Sequence, residues 1–262
     1  MISRLPIVLA LGHRFASLDI ERSTLSGVAE VLDGNTMLAG EREDALRTAS
    51  IVMLGTGGRL DATTIQSMSA CRGIVRYGVG VDNIDVEQAT AQDIPVINVP
   101  EYCVEEVSDH TVALVLAASR RLLPLHEAAR QGKWGPGLMA GTARLATRTV
   151  GILGFGRIGQ EVARKVGPMV ARVMVHDPLV PDGEVLERGS VPADFASLLE
   201  ASDYVTINCP LTPETHHLID AKALAKMKPT AWLINTARGE IVQEQDLVEA
   251  LDWGRIQGAA LD

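Results

Sequence analysis

Short apolar runs alternate with longer stretches whose apolar positions recur three and four residues apart, and this rhythm continues almost to the last residue. It predicts βαβ units and parallel sheets. In the first hundred residues the runs predict strands at Ile7–Leu11, 36–38, Ile51–Leu54, 73–75 and 96–99, with helices at 23–31, 41–48 and 62–69 between them. Around Pro100 the texture changes. Val107, Thr111, Leu114, Val115 and Ala118 follow helical spacing, which predicts one long helix over 104–123. A polar, glycine-containing loop follows at 131–142. A second alternation then predicts strands at 150–153, Arg172–His176, 204–208, Trp232–Asn235 and 257–261. We therefore place a domain boundary near residue 100, giving domains 1–100 and 101–262 in an α/β protein with two doubly wound parallel sheets. The sequence stops on an apolar strand at Asp262 with no polar tail. Native termini usually lie exposed, so we expect the polypeptide to continue in its parent.

Composition narrows the picture. Of 262 residues 47% are hydrophobic and 22% charged, which suits a globular core and argues against disorder. Only 3% are aromatic, so Val, Ile, Leu and Ala must build that core, as buried parallel strands require. Twenty-four basic against 33 acidic residues leave a net charge of −9, and no basic run exceeds Arg120–Arg121. Nucleic acid is a poor partner for such a chain. The apolar run ending at Leu11 is too short for a signal sequence or a membrane span. Cys71, Cys103 and Cys209 are odd in number, widely spaced and without zinc-site spacing, which points to a reducing cytoplasm.

The strongest chemical signal is the G-x-G-x-x-G stretch Gly154-Phe155-Gly156-Arg157-Ile158-Gly159, directly after an apolar strand and opening a helical segment. In that context Gly154 permits the tight turn, Gly156 lets the backbone approach a pyrophosphate, and Gly159 lets helix and strand pack closely. The helix N-terminus then offers amides to phosphate. The alternative is an ordinary glycine-rich turn. Eighteen residues past Gly159, Asp177 ends the next strand, where a carboxylate accepts both ribose hydroxyls of adenosine. Its charge repels a 2′-phosphate, so NAD is the inferred cofactor; the alternative is an Asp that only starts the turn before Pro178. Arg238 lies just past another strand, and its planar fork suits a carboxylate. Asp262 occupies the tip of the next strand. The loop Gly78-Val79-Gly80 offers either an anion-binding nest of amides or a flexible turn. Arg59 and Arg76 favour an anionic substrate or are surface charges.

Together these segments resemble the D-isomer-specific 2-hydroxyacid dehydrogenase family. The resemblance runs through residues 78–85, 154–159 with Asp177, 210–215 (Pro-Leu-Thr-Pro-Glu-Thr), 235–239 (Asn-Thr-Ala-Arg-Gly) and 258–262, and covers essentially the whole chain. The stretch 101–110 is more similar to the branch containing the C-terminal-binding-protein corepressors. The resemblance implies a flavodoxin-like first domain, a Rossmann second domain and an active site in the cleft. It implies that Arg157 and Ile158 contact the pyrophosphate and Asp177 the ribose. Cys209 and Pro210 line the cofactor cleft, and Thr236 and Ala237 approach the nicotinamide through backbone groups. Arg238 holds the carboxylate and 2-oxo oxygen, Asp262 binds the carboxamide, and the amides of Gly78, Val79 and Gly80 grip the carboxylate. The long helix and the loop with Trp134 resemble the family's dimer-forming region, so a homodimer is expected.

In the family an acidic residue and a Pro-His pair bearing the catalytic histidine follow the position of Asp262, and these 262 residues contain neither. General acid–base help is worth about 10²–10⁴-fold, so the chain is expected to bind NAD with little turnover. We expect His13, His110, His126, His176, His216 and His217 to be surface or helix-packing residues rather than replacements. The reading is an oxidoreductase moving a hydride between NAD(H) and C2 of a small 2-hydroxy or 2-oxo acid, D-specific. The alternatives are an NAD-sensing dimeric binding protein of corepressor type, or an inactive fragment.

Overall fold

A computed structural model describes residues 5–140 and 142–262. The chain divides between Tyr102 and Cys103 into two compact units. In the first, β1 (Ile7–Leu11), α1 (Asp19–Thr24), β2 (Glu30–Asp33), α2 (Ala39–Thr48), β3 (Ile51–Leu54), α3 (Ala62–Ser67), β4 (Ile74–Arg76), α4 (Val86–Ala91) and β5 (Val96–Ile97) follow one another. The strands form one parallel sheet in the order β2-β1-β3-β4-β5, the flavodoxin-like arrangement. Leu9, Leu11, Val52, Leu54 and Ile74 share one face and pack with Leu46, Ile65 and Ala89 from α2, α3 and α4.

The second unit begins with α5 (Val104–Ser119) and α6 (Leu122–Arg130). It continues through β6 (Thr149–Leu153), α7 (Arg157–Val166), β7 (Arg172–His176), α8 (Asp182–Glu187), β8 (Val191–Pro192), α9 (Phe195–Ala201) and β9 (Tyr204–Ile207). α10 (Ala221–Lys226), β10 (Trp232–Asn235), α11 (Glu244–Asp252) and β11 (Gly258–Leu261) complete it. Its parallel sheet runs β11-β10-β9-β6-β7-β8, the Rossmann order, with the reversal between β6 and β9. Successive strand residues point to opposite faces. Val173, Val175 and Ile234 therefore pack with Val112 and Val115 of α5 and Val162 of α7. Met174, Val205 and Leu233 pack with Leu198 of α9, Leu224 of α10 and Leu247 of α11 on the other side.

Three expectations need correction. The second strand is Glu30–Asp33 and not 36–38, because Gly27, at φ +75°, ends the preceding helical region early and frees Glu30 to pair with Ile7. The expected helix over 104–123 breaks at Arg121, whose φ of +52° is left-handed, and α6 starts anew after it. The expected helix at 23–31 is the shorter α1, which ends at Thr24. The two-residue strand β8 carries too little pattern to stand out in the sequence. No described helix is long and apolar enough to cross a membrane.

β6 is buried at all five positions. At Gly151 a Cβ would stand 2.3 Å from Ser202 Oγ and 2.5 Å from Leu198 Cδ2. Gly151→Ala is therefore expected to destabilise this unit by about 1–3 kcal/mol. Chemical denaturation followed by circular dichroism measures this, and an unchanged midpoint would contradict the packing described for β6.

Candidate functional site

The register of the Rossmann sheet decides where chemistry collects. Leu153 pairs with both His176 and Ile207, Ile207 with Asn235, and Asn235 with Leu261. The five carboxyl ends are thus level, and the next residue on each strand is Asp177, Gly154, Asn208, Thr236 or Asp262. Ligands of open α/β sheets bind along this edge, at the point where strand order reverses.

Gly154 turns the chain at φ +89°, and a Cβ there would lie 2.5 Å from Cys209 N, so the β6 turn and the end of β9 are in backbone contact. Gly159 faces Gly154 O across the first turn of α7, where a Cβ would stand only 2.1 Å away. Gly156 differs. A Cβ on it would meet nothing within 4 Å, and it supplies no side-chain cap to the helix it precedes. An uncapped helix N-terminus beside open space suits a phosphate, whose oxygens take the first-turn amides. Ile158 packs its side chain into the core beneath, so what it can offer a phosphate is its amide.

Asp177 is held on both oxygens. Oδ2 accepts from Phe155 N at 2.7 Å and Oδ1 from Leu179 N at 2.9 Å. The carboxylate therefore braces the glycine turn while its remaining lone pairs stay available to a diol. Burial pushes the Cys209 thiol up to about 11, so it stays neutral beside Gly154. Pro210, next to it, is exposed. The Asn208 side chain donates from Nδ2 to Thr206 Oγ1 at 2.9 Å, while its buried Oδ1 meets no partner among the described residues. A buried orphan acceptor at the sheet edge is a place for a ligand donor. No motif singled Asn208 out in the sequence.

The turn after β10 is clamped by Asn235, which is buried. Its Oδ1 accepts from Ala237 N at 2.9 Å and its Nδ2 donates to Arg238 O at 2.8 Å. Arg238 Nη1 donates to Ala237 O at 2.9 Å. Thr236 Oγ1 and Thr111 Oγ1, 125 residues apart in the chain, are 2.8 Å from each other. The same unit thus brings together Gly154, Gly156, Arg157, Ile158, Gly159, Asp177, Cys209, Pro210, Thr236, Ala237, Arg238 and Asp262.

Gly78, Val79 and Gly80 belong to the first unit, beyond β4. Gly78 has φ +151°, and a Cβ there would stand 3.0 Å from Arg76 Nη1. Val99 N donates to Gly78 O at 3.0 Å, and Asn98 Nδ2 to Val79 O at 2.7 Å. Gly78 N itself donates to Arg76 O at 2.9 Å, so of the three expected amides those of Val79 and Gly80 are the ones suited to an anion. Arg76 is not a surface charge. It is 5% exposed and donates from Nε to Asn83 Oδ1 and from Nη1 to Tyr77 O. Arg59 is exposed.

The histidines divide. His110, His126 and His216 are exposed, and His176 Nδ1 lies 3.1 Å from Ala193 O. His13 is neither a surface nor a helix-packing residue: it is buried after β1, 3.0 Å from Asp33 Oδ1, and stacks on Phe15. Burial works against the Asp33 charge, but hydrogen bonds from His13 and Asn35 outweigh it and hold the carboxyl below its usual 3.8.

A Rossmann sheet with an open glycine turn, an uncapped α7 and a braced acid on β7 defines a dinucleotide-binding protein. Residues 112–262 match the family model described as D-isomer specific 2-hydroxyacid dehydrogenase, NAD binding domain. The chain is 36% identical over 238 residues to the D-3-phosphoglycerate dehydrogenase of Synechocystis sp., a match covering 91% of this chain and 43% of that protein. It is 39% identical over 207 residues to the glyoxylate reductase of Korarchaeum cryptofilum, covering 78% of this chain and 62% of that one. The structure of D-lactate dehydrogenase from Aquifex aeolicus, complexed with NAD and lactic acid, superposes with a TM-score of 0.90 at 26% identity, covering 98% of this chain and 76% of that one. The chain belongs to the D-isomer-specific 2-hydroxyacid dehydrogenase family, and its second unit is an NAD-binding domain. It spans about two fifths of the length of the phosphoglycerate dehydrogenases it matches.

Asp177→Ala removes a charged acceptor at the tip of β7 and the brace on Phe155 N. Hydrogen bonds to charged groups are worth about 1.5–3 kcal/mol, so NADH affinity is expected to fall about 10- to 100-fold. Titration of NADH fluorescence measures this; an unaltered Kd would remove Asp177 from the site.

Proposed function

We propose that the protein containing this chain transfers a hydride between NAD(H) and C2 of a small 2-oxo or 2-hydroxy acid of D configuration. The observation that carries this reading is the level row of strand ends that sets the open Gly156 turn, Asp177, Asn208 and the Arg238 turn along one edge. In the reducing direction NADH supplies the hydride, and a proton joins the former carbonyl oxygen to give the 2-hydroxy acid.

This chain's residues bind and orient. The first-turn amides of α7, those of Arg157 and Ile158 among them, take the pyrophosphate, and Asp177 takes the ribose. Cys209 and Pro210 line the cleft beside the cofactor, Thr236 and Ala237 present backbone groups to the nicotinamide, and Asp262 takes its carboxamide. Arg238 pairs with the substrate carboxylate and polarises its 2-oxo oxygen, since its fork matches two oxygens at once. In the first unit the Gly78 N–H is taken by Arg76 O, and the amides of Val79 and Gly80 are those suited to an anion, so we read that unit as the substrate domain. Holding donor and acceptor in this way replaces a bimolecular encounter by an oriented one. We assign the proton donor to none of the six histidines.

Steady-state oxidation of NADH by the full-length protein with glyoxylate, pyruvate and hydroxypyruvate tests the reading. Arg238→Met is expected to lower kcat/KM by about 10²–10³-fold, the cost of removing one partner of a desolvated charge pair. No turnover of any 2-oxo acid by the wild type, or full activity of Arg238→Met, would refute it.

We further infer a homodimer formed around α6 and the loop after it. Leu122, Leu123 and Trp134 are 59%, 74% and 92% exposed there, an apolar set that a second copy would cover. Sedimentation is expected to show a dimer that Leu123→Glu with Trp134→Glu dissociates; a monomeric wild type would end the idea. The three free cysteines suit a reducing compartment, so we place the protein in the cytoplasm, and cell fractionation recovering it elsewhere would overturn that placement.

A further inference from the structure

The Arg238 turn is held from within by Asn235, but its outer support comes from a helix far away in sequence. Thr111 lies in the middle of α5 with no exposed surface. Its hydroxyl donates to Val107 O at 2.8 Å, one turn earlier, and stands 2.8 Å from Thr236 Oγ1. A hydroxyl has one proton to give, and Thr111 gives its own to Val107. Thr236 must therefore be the donor to Thr111, and this fixes the rotamer of the residue that begins the turn. The chain of bonds runs from Thr236 through Thr111 to the backbone of α5.

α5 is itself anchored. Lys165 of α7 donates from Nζ to Glu105 Oε2 and Asp109 Oδ1, both at 2.7 Å, and to Ser108 Oγ at 2.8 Å. Val112 and Val115 pack in the same core as Val162 of α7 and Ile234 of β10. One helix thus touches both the element that opens the glycine turn and the strand that precedes Arg238.

The geometry points to Thr111 as a positioning residue for substrate binding, acting through Thr236 on the turn that carries Arg238. This rests on the reading of Arg238 as the carboxylate anchor. Thr111 touches neither substrate nor cofactor in this account. Its hydroxyl sets the path of residues 236–238, and that path sets where the guanidinium fork points. A displacement too small to disturb α7 or Asp177 is enough to misalign a two-point contact with a carboxylate.

The test uses the full-length protein with NADH bound and oxalate, an unreactive planar dianion, as the probe. Thr111→Val keeps the shape but removes the acceptor, leaving the Thr236 hydroxyl unsatisfied. A lost buried hydrogen bond of ordinary strength corresponds to about a three- to tenfold change in binding. Oxalate affinity is expected to fall by that factor, with the NADH Kd within twofold of wild type and Thr111→Ser restoring oxalate binding. Should Thr111→Val not fold, Thr111→Ala carries the same comparison. Unchanged oxalate affinity overturns the proposal. So does an equal loss of NADH and oxalate binding that Ser does not rescue, the mark of a purely structural contact. Arg238→Met, run alongside, separates the two claims: if it binds oxalate as tightly as wild type, or if the wild type does not bind oxalate, the anchor reading itself has failed.

Discussion

In the second unit, backbone pairing keeps four strand ends level with Leu153. Leu153 is hydrogen-bonded in register to β7 on one side and β9 on the other, and β10 and β11 inherit the same level. A slip of one residue in any of these pairs would turn every side chain of that strand to the opposite face. It would also lift Asp177 or Arg238 out of the row. The contact of Gly154 with Cys209 is a consequence, because level strands bring the β6 turn against the end of β9, and only a residue without a side chain fits there.

That dependence explains which features were legible in the sequence. The Rossmann strands announce themselves because they are buried on both faces and read as continuous apolar runs, as β6 does at all five positions. The glycine turn is legible because Gly154 and Gly159 each need a missing side chain for a separate steric reason, while Gly156 leaves open space before α7. Asp177 is legible from its spacing. By contrast, β2 lies at a sheet edge with only half-buried positions and an exposed Glu30, so its pattern is diluted. The left-handed turn at Arg121 carries no residue that favours such a backbone, and nothing local forecasts it. Asn208 and the Thr111–Thr236 pair were illegible for another reason. Each depends on which strand or helix lies beside which, and that is a property of topology.

The same contrast separates Arg76 from Arg238. In sequence both are arginines following apolar strands, and either could serve a carboxylate. In the fold Arg76 is drawn beneath the Gly78 turn and commits two of its donors to Asn83 and Tyr77. Arg238 sits on a turn in which Asn235 satisfies Ala237 N and Arg238 O, and its half-buried side chain donates from Nη1 to Ala237 O, whereas Arg76 is buried.

An acidic chain with an NAD-binding domain faces a problem of sign. The chain carries a net charge of −9, yet a dinucleotide brings an anionic pyrophosphate. Charges farther apart than roughly 8 Å are largely screened at physiological ionic strength, so the net charge has little weight at the site itself. What matters there is the local source of positive potential, the uncapped start of α7. Such dipoles are fixed by the backbone and cost no side-chain ordering when the ligand arrives. The acidic surface then does no harm to binding. Of the two carboxylates in the row, Asp177 and Asp262, Asp177 is held on both oxygens by the amides of Phe155 and Leu179, so its negative charge braces the glycine turn where it stands.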